Sequence, residues 1–177
     1  MWSMDHKILS RPTKQGIQRY CVIIDSFSGW PILRAVPDVF AYTTAKIFIT
    51  DVICTFGICD SIVTDRGVSF CANFFKHITE FLKIHHRIST TAASRTNGLS
   101  ESLIQRMNQM LKCYCERDVD IEDTLPIIVF FACDSFYSRL PISPHEILFG
   151  RQMKVSEFGL VPPKLPFAGD QLAYYRW

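Results

Sequence analysis

The chain has 177 residues, which fits one domain of ordinary size. Hydrophobic residues make up 48% of it and charged residues 20%, so the composition predicts a complete hydrophobic core and excludes general disorder. Nineteen basic and seventeen acidic side chains leave a net charge of +2, which excludes a histone-like polycation but still allows a local basic groove.

The first third of the chain predicts three strands, a helix and a fourth strand. Short turns between the first three β-type runs favour an antiparallel meander; these runs are 1–9, 19–25 and 30–37. Apolar residues at helical spacing between Ala45 and Phe56 predict a helix that Thr43 or Thr44 caps and Gly57 ends. The run 61–64 then predicts a short strand, which should lie parallel to an earlier one because it follows a helical crossover.

The rest of the chain predicts alternating helices and one more strand. Small polar residues at 90–98 predict a mobile loop, and a proline-rich stretch from Val161 predicts an extended exit segment. Ser143 and Pro144 are typical of the start of a short helix. The other predicted elements are a helix at 73–83, a strand at 84–89, and helices at 99–115 and 122–137. This order predicts an α/β fold with a mixed five-stranded sheet, three antiparallel strands followed by parallel additions, flanked by helices.

Two further features bear on the environment of the chain. No apolar run approaches the ~18–20 residues that span a bilayer, and no signal-peptide pattern opens the sequence. The seven cysteines are scattered through apolar stretches and indicate buried thiols in a reducing compartment, not a disulfide framework. The sequence thus predicts a soluble intracellular domain without membrane association.

Three carboxylates are placed where the chain geometry could bring them together. Asp5 lies inside the first predicted strand, Asp65 follows the C-terminal end of the fourth, and Glu101 opens a helix. Three acids without Cys or His favour Mg²⁺ or Mn²⁺ and phosphoryl transfer, in which two ions ~3.5–4 Å apart assist an in-line displacement. Each acid alone also has an ordinary interpretation, as a solvated surface group or, for Asp65, as a turn former.

The long helix carries two distinct faces. Its polar stripe shares a face with Glu101 and could donate hydrogen bonds to phosphates or bases; the stripe is Glu101, Gln105, Asn108 and Lys112. Its apolar face is formed by Leu103, Met107, Met110 and Tyr114.

The segments around the three acids resemble the integrase catalytic core of retroviruses and long-terminal-repeat retrotransposons, most of all the gypsy-type elements. The family's Trp-x-x-Asp, Thr-Asp-x-Gly-x-x-Phe and Asn-Gly-x-x-Glu patterns occur here at 2–5, 64–70 and 97–101. Residues 66–100, 35 in all, separate Asp65 from Glu101, which is the family's hallmark interval. The segments 24–30 and 143–151 also look like family phrases, so the resemblance covers about residues 1–151.

The resemblance implies an RNase H-like fold, a DDE polynucleotidyl transferase, and DNA as the substrate. Asp5, Asp65 and Glu101 would then hold two Mg²⁺ or Mn²⁺ ions. Asp25 also ends a strand and is the alternative first acid, but the resemblance assigns it to a turn. It further implies a homodimer or higher homo-oligomer, for which the helix at 122–137 is a candidate surface, and a nuclear or cytoplasmic location in a virus-like particle or preintegration complex.

Several positions bear on DNA contact. Asn97 matches a family position that contacts DNA ends, whereas Gln105 and Asn108 replace lysines found in retroviral members and would weaken electrostatic contact. Arg95 and Lys112 belong to a basic set that could follow phosphates or could be ordinary solvated charge; its other members are Lys83, Arg87 and Arg106. Ser94 replaces a frequent proline, which should loosen the loop.

Other readings stay open at this point. Residues 1–151 would be the core and 152–177 an extension or linker remnant. Since Met1 lies only four residues before Asp5, the expectation is a core excised from a polyprotein or the product of a truncated element. A domesticated or inactive remnant that binds nucleic acid or protein, and an RNase H-type nuclease, are the alternatives to an integrase core with partial activity. His6 and the pair His85–His86 are expected to be structural, as are Cys113 and Cys115.

Overall fold

A mixed five-stranded sheet forms the centre of the molecule in the computed structural model, which describes residues 1–89, 94–115, 121–135 and 142–153. Its strands are β1 (Trp2–Ile8), β2 (Arg19–Asp25), β3 (Pro31–Val36), β4 (Ser61–Thr64) and β5 (His85–Ile88). Their order in the sheet is β3-β2-β1-β4-β5. Strands β1 to β3 pair antiparallel, and the β1–β4 and β4–β5 pairs are parallel. The predicted mixed sheet is therefore confirmed.

Helices cover both faces of this sheet. They are α1 (Ala41–Ile47), α2 (Cys54–Phe56), α3 (Val68–Cys71), α4 (Asn73–Phe81), α5 (Ser94–Cys115), α6 (Ile121–Asp134) and α7 (Pro144–Phe149), and a π-helical segment (Phe48–Ile53) joins α1 to α2. No helix within the described ranges is both long and apolar enough to cross a membrane.

Each sheet face has its own hydrophobic core, and strand alternation produces both. On β2, Tyr20, Val22 and Ile24 face α5 and α6, where they join Leu103, Met107, Met110, Leu111, Ile121, Leu125 and Ile128. The alternate residues Cys21 and Ile23 face the opposite core, which contains Trp2, Met4, Phe48, Val52, Ile62, Phe70 and Phe75. The sheet is therefore the middle layer of three.

The first helical region differs from the prediction at its start but not at its end. It begins at Ala41 after Phe40, whose amide bonds the Asp38 carboxylate at 2.9 Å, and neither predicted threonine caps it. Thr44 instead is fully buried inside α1. The additional first turn, from Ala41 to Thr44, has no apolar periodicity. The sequence pattern therefore did not predict it. Gly57 ends the region with φ 88°, as predicted.

Helix α5 also starts earlier than predicted, at Ser94 rather than Leu99. Residues 94–98, predicted as loop, are therefore helical, and residues 90–93 lie outside the described ranges. Small polar residues disfavour a helix only weakly, and adding residues to an existing helix costs far less free energy than nucleating a new one. Asn97 and Gly98 consequently belong to the first turns of α5.

The later helices follow their sequence signals. Ser143 caps α7, its hydroxyl accepting from the Glu146 amide at 3.2 Å, and Gly150 ends it with φ 66°. Helix α6 packs against α5 and β3; its buried residues are Ile121, Thr124, Leu125, Ile128, Phe131, Ala132 and Cys133. The apolar side of this helix, which as a whole is the candidate dimer surface, thus packs within the chain.

Candidate active site

Asp5 and Asp65 are brought side by side by the parallel pairing of β1 and β4. Ser3 lies opposite Val63 and Met4 opposite Thr64, so the next position along both strands places Asp5 next to Asp65. Neighbouring strands lie about 4.8 Å apart. The charges of Asp5 and Asp65 both oppose the lowering of the His6 pKa that burial causes. The two acids predicted from sequence therefore meet at one point of the sheet.

The same geometry relates Asp5 to helix α5. Asp5 lies directly opposite Val22 in the antiparallel β1–β2 pair, and opposite residues of such a pair share a face. Val22 belongs to the core that Leu103 and Met107 of α5 complete. Asp5 is therefore on the sheet face that α5 covers. Glu101 lies on α5 two residues before Leu103, and its side chain is outside the described set.

Asp65 is held by a tight turn directly after β4. The Gly67 amide donates a 2.8 Å hydrogen bond to Oδ1 of Asp65. A Cβ at position 67 would lie 2.9 Å from that oxygen and 3.3 Å from the ring of the buried Phe70. The glycine in this turn is thus required for space, and it fixes the carboxylate while leaving Asp65 exposed.

Asp5 carries an ion pair that the sequence prediction missed. The ammonium Nζ of Lys7 lies 2.6 Å from Oδ2 of Asp5. The two residues are two positions apart on β1 and therefore point to the same face. Strand alternation is the signal that could have revealed this pair, because it applies to any predicted strand.

His6 lies on the other face of β1, as expected for a structural strand residue. Its ring stacks on Phe70 with centroids 5.1 Å apart, and its Nε2 lies 3.4 Å from the hydroxyl of Thr44. Burial lowers the pKa of His6, and the charges of Asp5 and Asp65 only partly oppose this. The ring is thus packed and tends toward the neutral form.

Asp25, the alternative first acid, lies away from Asp5 and Asp65. It pairs with Trp2, three positions from Asp5 along β1, or about 10 Å. Its Oδ2 accepts hydrogen bonds from the amide of Ser28 at 2.9 Å and from its hydroxyl at 2.8 Å. The α-amino group of Met1 lies 3.8 Å from Oδ1. In the structure Asp25 is engaged in the β2–β3 turn.

The predicted DNA-contact residues on α5 have different surroundings. Gln105 and Lys112 are exposed, as such contacts require. Asn108 is half-buried, and its side-chain oxygen accepts a hydrogen bond from the hydroxyl of Tyr20. Arg95 and Asn97 lie in the first turns of α5, and their side chains are outside the described set.

The histidine pair and the cysteines were expected to be structural. His85 is exposed, whereas His86 lies 2.9 Å from the Thr64 hydroxyl and 5.3 Å from the ring of Phe75. The two histidines thus have separate surroundings, as predicted. The cysteines with described side chains are free thiols, and those of Cys113 and Cys115 are outside the set.

The donor chemistry of the paired acids suits a hard divalent cation. Carboxylate oxygens are the preferred ligands of Mg²⁺ and Mn²⁺. The Lys7 ammonium stands where a cation can contact Asp5. Among the described side chains no group of three or more His, Cys, Asp and Glu converges. Asp5 and Asp65 therefore offer two of the three predicted ligands, with the α5 backbone on the same face.

Comparison with known proteins identifies related sequences. The model of the "Integrase core domain" family matches residues 1–94. The Gag-Pol polyprotein of walleye dermal sarcoma virus is 26% identical over a region that covers 87% of the chain. That of avian reticuloendotheliosis virus is 29% identical over 90% of the chain. The Tf2-3 transposon polyprotein of Schizosaccharomyces pombe is 25% identical over 96% of it. The chain spans only 9–13% of the length of these relatives.

A solved structure agrees with the fold. The crystal structure of the catalytic core domain of BIV integrase superposes with a TM-score of 0.67 at 17% identity, covering 82% of this chain and 91% of that one. This confirms the predicted RNase H-like architecture. Together with the family match over more than half of its length, it leads to one conclusion: the chain belongs to the integrase core domain family.

Proposed function

We propose that this chain is the catalytic core of a retroelement integrase that transfers DNA strands with the help of divalent metal ions. One observation carries the proposal: Asp65 directly follows β4, level with Asp5 on the adjacent parallel strand β1, and Asp5 lies on the sheet face covered by the helix that contains Glu101. Carboxylates repel one another when they converge, so such a cluster favours a bound cation.

In this proposal Asp5, Asp65 and Glu101 hold two Mg²⁺ or Mn²⁺ ions. Bound there, the ions would activate the attacking oxygen and stabilise the leaving oxygen of an in-line phosphoryl transfer. The protein's part is to fix the ligands. Asp5 lies on a strand that is paired on both sides, and the Gly67 amide orients Asp65.

DNA would lie along the polar side of α5. Gln105 and Lys112 are exposed there and supply a donor and a positive charge. Asn97 and Arg95, in the first turns of the same helix, are proposed to meet the DNA end. Asn108 is the weakest of the predicted contacts, because its side-chain oxygen already bonds Tyr20.

The wider assignments follow from family membership. Residues 1–151 would form the core and 152–177 an extension or linker. The proposed partners are element-end DNA, target DNA and further copies of the chain, and the proposed location is the nucleus or the cytoplasm, in a virus-like particle or preintegration complex. As an isolated core the chain should show partial activities, such as reversal of strand transfer or nicking.

The test is Mn²⁺-dependent cleavage and joining on a branched DNA that mimics an integration intermediate. We expect Asp5→Asn, Asp65→Asn and Glu101→Gln to lower the rate at least a hundredfold, because each removes a charged ligand. Asp25→Asn is the matched control: it keeps an oxygen that can accept from Ser28, and its rate should stay close to wild type.

Other outcomes would change either the assigned ligand or the proposed function. Loss of activity with Asp25→Asn, and retention with Asp5→Asn, would move the first ligand to Asp25. Cleavage of an RNA–DNA hybrid without activity on branched DNA would favour an RNase H-type nuclease. A folded wild-type chain that binds DNA but turns over neither substrate would favour a domesticated or inactive remnant.

A further inference from the structure

The ion pair between Lys7 and Asp5 is placed directly at the candidate metal site. Nζ of Lys7 lies 2.6 Å from Oδ2 of Asp5, within charge-assisted hydrogen-bond distance. The Asp5 side chain is only 19% exposed and the Lys7 side chain 37%, so water screens the pair less than it screens an ordinary surface pair.

The surroundings explain why a cation is needed there. Asp65 directly follows the neighbouring strand β4 at the level of Asp5, so the backbones that carry these two acids lie about one strand spacing apart, ~4.8 Å. Without a positive neighbour the two negative charges would repel each other. Lys7 supplies that charge from within β1, because residues two apart on a strand share a face.

We propose that Lys7 is an exchangeable counter-ion of Asp5, which neutralises this carboxylate in the metal-free chain and has to leave when a divalent ion binds. The inference rests on the proposed function in one respect, that the metal binds Asp5. A metal ion on Oδ2 and an ammonium at 2.6 Å would compete for the same oxygen and repel each other.

The competition has two measurable consequences. Removing the ammonium should strengthen metal binding, since no ion pair then has to be broken. It should also destabilise the metal-free chain, because Asp5 loses its positive neighbour. Lys7 would thus weaken metal binding and stabilise the metal-free folded chain.

The experiment is a titration of the 177-residue chain with Mn²⁺ at low ionic strength, with free Mn²⁺ followed by electron paramagnetic resonance. Lys7→Met should bind Mn²⁺ about three- to tenfold more tightly than wild type, as expected for breaking a partly buried ion pair. Lys7→Arg keeps the charge and should stay near wild type. Lys14→Met removes an exposed lysine in the β1–β2 connection and controls for net charge.

Thermal unfolding with and without Mn²⁺ provides the second readout. The metal-induced rise of the melting temperature should be larger in Lys7→Met than in Lys14→Met, since tighter binding to the folded state raises it further. Lys7→Gln serves as a second variant, and circular dichroism establishes that each variant is folded.

Asp5→Asn separates the two possible failures. If it loses Mn²⁺ affinity while Lys7→Met binds like wild type or more weakly, the counter-ion role of Lys7 is wrong and the metal site stands. If Asp5→Asn binds Mn²⁺ like wild type, the metal is not on Asp5, and the metal assignment in the proposed function is wrong as well.

Discussion

The amide of Gly67 lies 2.8 Å from the carboxylate of Asp65, and no side chain fits between them. Gly67 has φ −55° and ψ 143°, an extended conformation that any residue adopts. The requirement for glycine is therefore one of space: a Cβ would lie 2.9 Å from Oδ1 of Asp65. The turn and the candidate ligand are thus one structural unit.

Gly67→Ala should impair the site more than the fold. The added methyl group pushes against Asp65 and Phe70, and such overpacking typically costs about 1–3 kcal/mol of stability. Because Asp65 is the softer neighbour, it should move, and we expect Mn²⁺ affinity and strand transfer to fall at least tenfold. The measurements are Mn²⁺ titration and urea unfolding. Val68→Ala, at an 88% exposed neighbouring position, is the control; equal behaviour of both variants would contradict the prediction.

Asn108 and Gln105 should separate stability from DNA contact on α5. Asn108→Ala removes the acceptor of the Tyr20 hydroxyl and should lower the free energy of unfolding by about 1 kcal/mol. Gln105 is exposed, so Gln105→Ala should change stability by less than about 0.5 kcal/mol while weakening DNA binding. Chemical denaturation and fluorescence anisotropy with labelled DNA measure the two effects. If Tyr20→Phe and Asn108→Ala were fully additive, the hydrogen bond would carry no coupling energy.

Phe75 and Phe81 test which face of α4 carries the core. Phe75 is fully buried and contacts Phe48, Phe70 and His86, whereas Phe81 is 85% exposed. Phe75→Ala should destabilise the chain by about 3–5 kcal/mol, through lost burial and a cavity. Phe81→Ala should stay within about 0.5 kcal/mol. Thermal or urea unfolding of both variants decides, and a costly Phe81→Ala would place a second packed surface on this helix.

Stability should fall in mild acid because of His86. Burial lowers the pKa of His86 below its usual 6.5, and the nearby charge of Lys76 adds to this. Below pH 6.5 the unfolded chain therefore binds a proton that the folded chain still excludes, so the free energy of unfolding decreases as the pH falls. His86→Gln should reduce this decrease between pH 7 and pH 5, and a smaller decrease should remain because burial also lowers the pKa of His6. His77→Gln, at an exposed position of α4, should leave it unchanged; the comparison requires urea unfolding at several pH values.

Much of the architecture was predictable because each element carries its own local signal. Strand β2 is a continuous apolar run bounded by turn residues, and the Ser143 cap and Gly150 end of α7 are encoded within eight residues. The side-by-side placement of Asp5 and Asp65 was not encoded in the local sequence. It depends on the register between β1 and β4, which only the packed sheet sets.

The departures from prediction lie where tertiary packing outweighs local preference. Thr44 is a residue type that often caps helices, but it is buried inside α1. Residues 48–53 form a π-helix, which has no recognisable sequence period. Lys7 was missed for another reason. Its role depends on Asp5, which lies two residues away on the same face of β1. Strand alternation predicts this neighbour, whereas the spacing of the acids does not.

The position of β1 at the centre of the sheet gives the two aspartates unequal freedom. Strand β1 is paired with β2 on one side and β4 on the other, whereas Asp65 follows the end of a four-residue strand. The amide of Asp5 should therefore be among the slowest to exchange with deuterium, and that of Asp65 among the faster ones. Asp5 should therefore keep its position when a ligand binds, and the Asp65 turn should be the part that moves.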